Sequence, residues 1–91
     1  MIADLTRRFA VDGFELAWDE WGSGDGPPLV LCHGFSGSSH DFALHIEGLS
    51  ADRRVVAIDH RGHGLSSNSG SVDDYTVEKI VGDVTAWIDA E

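Results

Sequence analysis

Val55-Val56-Ala57-Ile58-Asp59-His60-Arg61-Gly62-His63-Gly64-Leu65-Ser66 is the stretch that decides the reading of this chain. It opens with a short unbroken apolar run rich in β-branched residues. Such a run suits a strand buried on both faces. It closes in a turn built on Gly62 and Gly64, because glycine punctuates regular structure. The same pattern stands upstream in Leu29-Val30-Leu31-Cys32-His33-Gly34-Phe35, another apolar run closed by a glycine turn.

Between the two runs the sequence predicts a helix. Ser38-Ser39-His40-Asp41 fits a capping box, with Ser38 as N-cap and the Asp41 carboxylate reaching back. Phe42, Ile46 and Leu49 then recur at helical spacing. A strand, a helix and a second strand in one sheet require a crossover connection, which makes the two strands parallel. Ahead of them, Arg8 to Val11 and Phe14 to Trp18 flank Asp12-Gly13, a dipeptide that favours a two-residue hairpin turn. Gly22-Ser23-Gly24-Asp25-Gly26-Pro27-Pro28 is a loop. A second helix starts at the N-cap Thr76, with Val77, Ile80, Val81, Val84 and Ile88 forming one apolar stripe. The expected order is β-β-β-α-β-α, an α/β architecture with an antiparallel start followed by parallel strands. No repeat or long low-complexity tract interrupts it.

Composition narrows the function. At 91 residues the chain is one domain at most, with a modest core. A hydrophobic fraction of 42% is that of a globular protein. The formal charge of -10 repels nucleic-acid backbones and anionic membranes, so neither is an expected partner. Cys32 is the single cysteine and cannot form an internal disulfide, which suits a reducing, cytoplasmic compartment. The first residues show no apolar core of a signal peptide.

Ligands of open α/β sheets bind beyond the carboxyl ends of the strands, where both glycine turns lie. Gly34 permits a sharp turn after its strand, so the following amides can point into a crevice. Acyl-transfer chemistry needs fixed donors of that kind where oxyanion charge develops. A tight strand-to-helix turn without chemistry would read the same locally.

Taken together, His33-Gly34-Phe35 and Asp59-His60-Arg61-Gly62-His63-Gly64-Leu65-Ser66 resemble the front of an α/β-hydrolase, which carries Asp-x-Arg-Gly-x-Gly-x-Ser at the second position. The resemblance extends from these motifs to the Thr76 to Ala90 helix and covers nearly the whole chain. It implies that the Phe35 backbone N–H is an oxyanion-hole donor, in a loop shaped by His33, Gly34 and Ser36. It implies supporting roles for Asp59, Arg61, Gly62 and Gly64, with Arg61 as an ion-pair or carbonyl-binding residue. Guanidinium suits that role because it presents five donors in a fixed fork. The implied activity is hydrolysis of an ester or related bond through a Ser-His-Asp-type triad.

The chain departs from the family pattern in two places. Ser36 stands where many epoxide hydrolases have Pro. No Gly-x-Ser-x-Gly occurs, and Gly64-Leu65-Ser66-Ser67-Asn68 lacks its last glycine, so Ser66 reads as a loop residue. In the family the order is nucleophile, acid, His, all beyond the second helix. The triad is therefore expected outside residues 1–91, which form the N-terminal portion of a single domain, inactive alone. None of the five histidines is expected to be catalytic. No cofactor or metal is expected: one turn cannot rigidly place the ligands that zinc takes, and His40 and His45 share no helix face well. Phe35, Phe42 and Trp21 are candidates for lining a pocket or, more commonly, for core packing.

Two other functional classes compete. A strand, turn, helix, strand and Asp59 imitate a dinucleotide-binding unit, yet Gly34-Phe35-Ser36-Gly37-Ser38-Ser39 lacks the G-x-G-x-x-G fingerprint. Alternatively the chain is a non-catalytic or split piece whose Leu29–Cys32 edge is open. Such an edge favours poor solubility, a partly molten state, self-association or a complementary chain.

Overall fold

The computed structural model describes residues 5–34 and 37–91. Four strands form one sheet in the order β1-β2-β4-β3, where β1 is Arg7–Val11, β2 Phe14–Trp21, β3 Leu29–Cys32 and β4 Val55–Ile58. β1 pairs antiparallel with β2, β2 antiparallel with β4, and β4 parallel with β3. The order of elements and the antiparallel start match the sequence reading. So does the hairpin: Asp12 and Gly13 both have positive φ, 50° and 80°, the combination a primed two-residue turn demands.

The period-2 alternation of strands divides the core between the two sheet faces. Ala17, Val55 and Ala57 point to one face, where Leu5 and Ile46 cover them and Trp21 and Phe42 pack at the margin. Leu16, Trp18, Val56 and Ile58 point to the other, beneath Phe14 and Trp87. Trp21 and Phe42 thus serve the core. Trp18 and Trp87 meet edge-on with centroids 5.0 Å apart, a geometry that contributes roughly 0.5–1.5 kcal/mol beyond area burial.

Three expectations need correction. The first helix is broken: a 3-10 turn at Ser39–Phe42 is followed by turns and then by α1, Ile46–Leu49. Ser38 does cap, its Oγ accepting from the His40 N–H at 3.2 Å, and the Asp41 carboxylate reaches back as far as Gly37. A four-residue helix holding Gly48, with no side-chain cap at His45, has little intrinsic stability, so packing of Phe42 and Ile46 sets its form.

β4 is buried on both faces, but β3 is only half-buried and Cys32 is exposed. The reason is position: β4 is flanked by two strands, whereas β3 pairs with β4 alone among the described residues.

The second helix, α2 (Val77–Ala90), is capped as expected, with Thr76 Oγ1 accepting from Lys79 N–H at 3.2 Å. Its buried residues, however, are Asp83 and Trp87, while Val77, Val81 and Ile88 are more than half exposed. At 100° per residue the buried pair lies roughly 100° around the helix from the centre of the apolar stripe. A bidentate ion pair and an indole have taken the inward face, and the stripe is turned toward the open side of β3. No helix among the described residues is long and apolar enough to cross a membrane.

Candidate functional site

The two glycine turns lie side by side at the carboxyl ends of β3 and β4, because those strands are parallel neighbours with Cys32 opposite Ile58. Phe35 and Ser36 fall outside the described residues, so the expected oxyanion donor is bracketed by what surrounds it. Gly37 N–H donates to Gly34 O at 3.0 Å and closes the turn. At its far end, Ser39 N–H donates to Asp59 Oδ1 at 2.7 Å.

Asp59 acts as a brace. It is 1% exposed, and its second oxygen accepts from the Leu65 N–H at 2.9 Å. One carboxylate therefore satisfies a backbone donor from each turn. Gly64 explains itself here: φ is 51°, and a Cβ would lie 2.2 Å from Asp59 Oδ2. The glycine is required so that the loop can wrap the carboxylate.

His33 and His60 join the two turns at their near ends. His60 N–H donates to His33 Nε2 at 3.0 Å, and His60 Nε2 lies 3.2 Å from His33 O. Because His33 Nε2 accepts, its proton sits on Nδ1, which lies 2.6 Å from Gly34 O and donates to it. The carbonyl of His33 can only accept, so His60 carries its proton on Nε2. Among the described residues, His60 Nδ1 is buried without a hydrogen-bond partner. Burial, helped by the neighbouring His33, holds the His60 pKa below the ordinary histidine range. His63 completes a cluster, its ring centroid 5.0 Å from that of His33.

Arg61 is buried at the centre of a hydrogen-bonded network. Its Nε and Nη2 donate to the two Asp83 oxygens at 2.7 and 2.6 Å. Nη1 donates to Asp74 O at 3.0 Å, Nη2 reaches Asp12 at 3.1 Å, and the guanidinium lies 4.3 Å from the centre of the Phe14 ring. One side chain thus ties the loop after β4 to α2, the hairpin and the segment before α2. The Asp83 bonds drive its pKa further up, so the charge is permanent. Gly62, at φ 72°, passes close under the Tyr75 ring.

Ser66 is a loop residue as expected, and its hydroxyl is fully used. It donates to Asp59 O at 2.6 Å and accepts from Ala17 N–H at 2.8 Å, stitching the loop to β2. His40 and His45 are exposed. Sequence reasoning missed Asp83 and the His33–His60 pairing. An acid breaking the apolar pattern of α2 was a signal for the first. The second had none, since it depends on parallel register.

Residues 27–90 match the sequence model of the family described as alpha/beta hydrolase fold. The chain is 42% identical over 66 residues to epoxide hydrolase B of Mycobacterium tuberculosis, covering 71% of this chain and 18% of that protein. It is equally 42% identical over 63 residues to the dihydrolipoyllysine-residue acetyltransferase component of an acetoin cleaving system in Pseudomonas putida, covering 69% and 17%. An alpha/beta hydrolase fold protein from Burkholderia ambifaria superposes with a TM-score of 0.87 at 31% identity, over 99% of this chain and 32% of that one. The chain spans less than a fifth of the length of these two curated relatives. An epoxide hydrolase stands among them although Ser36 replaces the Pro common in that group. With the paired turns, the parallel β3–β4 core and a family match over most of its length, the chain belongs to the α/β-hydrolase family.

Proposed function

We propose that this chain supplies the oxyanion loop of a hydrolase acting on an ester or related bond, with the Phe35 N–H as one donor. A Ser-His-Asp-type triad from outside residues 1–91 would do the covalent chemistry. The observation that carries the reading is where the His33-Gly34 turn stands: at the carboxyl end of β3, braced at both ends by the turn after β4. A donor loop must be held before charge develops, and removing one donor from such a hole costs about 10²–10³ in kcat. His33, Gly34 and Ser36 shape the loop; Asp59, Arg61, Gly62 and Gly64 hold its support. The unpaired Cys32 supports a reducing, cytoplasmic setting. Family membership supports this reading over a dinucleotide site.

The chain alone is expected to give no turnover of a p-nitrophenyl ester. In a full-length hydrolase carrying this segment, Phe35→Pro removes the N–H and should lower kcat about 10²–10³-fold. Phe35→Ala, which keeps the N–H, should retain most of the activity. Equal kcat in the two variants would overturn the assignment.

The open side of β3 favours a second reading, that the isolated chain pairs with itself or with a complementary chain. Among the described residues that edge of β3 is unpaired, and Val81 and Ile88, exposed on α2, stand near Cys32 and Val30 of β3. Sedimentation is expected to show self-association or loss of soluble protein. A cooperatively unfolding monomer across a wide concentration range would count against it.

A further inference from the structure

The His33–His60 contact does more than fill space between the turns. Its two hydrogen bonds are reciprocal: each residue uses one backbone group and one ring nitrogen. The His33 ring then spends its remaining proton on Gly34 O. The loop after β3 is thereby held at its first residue by His60, as it is held at its end by Asp59.

We propose that His60 is a positioning residue for the His33-Gly34 turn at the end of β3, and that it holds this turn only while its ring is neutral.

The surroundings explain why. A second proton on the His60 ring would go to Nδ1, which is buried and faces no acceptor among the described residues. Two further imidazoles stand close, with centroids 4.3 Å away for His33 and 6.3 Å for His63. The groups that could compensate are committed elsewhere. Asp83 of α2 has both oxygens on Arg61, and Asp59 has both on backbone N–H groups. Arg61, on the same loop, is itself positive. From β3 comes only the Cys32 thiol, which lines the same groove as His60 beside Ile80, Val81, Val84 and Thr85 of α2. An imidazolium there is uncompensated, and moving the ring toward water relieves it at the loss of the Nε2–H bond to His33 O.

The direction with pH follows. Burial and His33 depress the folded-state pKa of His60, so the ring released from His33 binds more protons than the ring held on it. The His33–His60 contact is favoured above the ordinary histidine value of about 6.5 and loses ground as pH falls through it. The inference rests on the proposed function only in taking this turn to be part of the oxyanion loop.

Amide hydrogen exchange in a full-length hydrolase carrying this segment tests it without any readout of activity. Corrected for intrinsic rates, protection of the residue-60 amide should fall by up to about tenfold between about pH 7.5 and about pH 5.5, as a released ring with the ordinary value of about 6.5 takes up its proton. The Asp59 amide, bonded to Ala17 O, and the α2 amides should keep theirs. His60→Gln, which retains a neutral donor, should remove the pH dependence, and His63→Gln should leave it. Should the His60→Gln variant fail to fold, ring nitrogen shifts of the unmodified chain decide. They should show His33 protonated on Nδ1, and His60 taking up its proton as protection is lost. A pH-independent amide, a uniform loss that includes α2, or a His33 protonated on Nε2 would overturn the proposal. None of these outcomes bears on whether the family chemistry uses Phe35, so failure of the clamp and failure of the hydrolase reading remain distinguishable.

Discussion

Arg61→Ala is expected to cost about 3–5 kcal/mol, because breaking a buried pair from one side strands the other charge. Asp83 is 2% exposed and would be left with neither of its guanidinium bonds. The Asp74 carbonyl would also lose a donor, and the Phe14 ring its cation. For a domain of this size that is a large share of a net stability of roughly 5–15 kcal/mol. Arg61→Lys should recover little, since an ammonium cannot span both Asp83 oxygens and Asp74 O together. Arg61→Met combined with Asp83→Leu should be milder than Arg61→Ala, because it removes both charges at once. The measurement is the urea midpoint of the chain at one fixed protein concentration, since self-association would itself shift the midpoint. A single Ala substitution that moves stability by less than about 1 kcal/mol would show that the pair is not buried in solution.

Asp59→Ala should cost a similar amount, about 3–6 kcal/mol, from two hydrogen bonds to a charged acceptor at about 1.5–3 kcal/mol each. The Ser39 N–H is the sharper loss, for that residue is 1% exposed and water cannot readily replace the carboxylate. Asp59→Asn keeps the shape but turns one acceptor into a donor facing a backbone N–H. It should fall between the two, near about 1–3 kcal/mol for the single orphaned group. Beyond stability, Asp59→Ala should loosen both turns together, seen as faster amide exchange at Ser39 and Leu65 in the same variant. Loss of protection at Leu65 alone would show that the carboxylate does not couple the turns. On the proposed role of Phe35, the same substitution in a full-length hydrolase should lower kcat more than it weakens substrate binding.

Several elements were legible from the residues alone. Asp12-Gly13 is a hairpin turn wherever it is found between two apolar strands, because both residues tolerate positive φ. Val55–Ile58 reads as a central strand, since a run with no polar alternation suits burial on both faces. Thr76 announces α2, and the glycine-bearing motifs placed the candidate site at the carboxyl ends of two parallel strands.

The misreadings share one cause. Leu29–Cys32 has the same apolar pattern as Val55–Ile58, yet only one of them is enclosed, because neighbours in the sheet decide burial and composition does not. On α2 the widest apolar stripe looked inward by periodicity. Tertiary structure placed Asp83 and Trp87 inward, where Arg61 and Trp18 wait across 22 and 69 positions of chain. The reciprocal His33–His60 bonds depend on the register that sets Cys32 opposite Ile58. Local chemistry, in short-range patterns of apolar residues, glycines and caps, determined by itself the four strands, the second helix, their order, and the family to which they belong. Which face is buried, which charge is paired and which imidazole holds which loop were decided only by the tertiary structure. Those are contacts between residues far apart in sequence, and no short-range pattern encodes their distances.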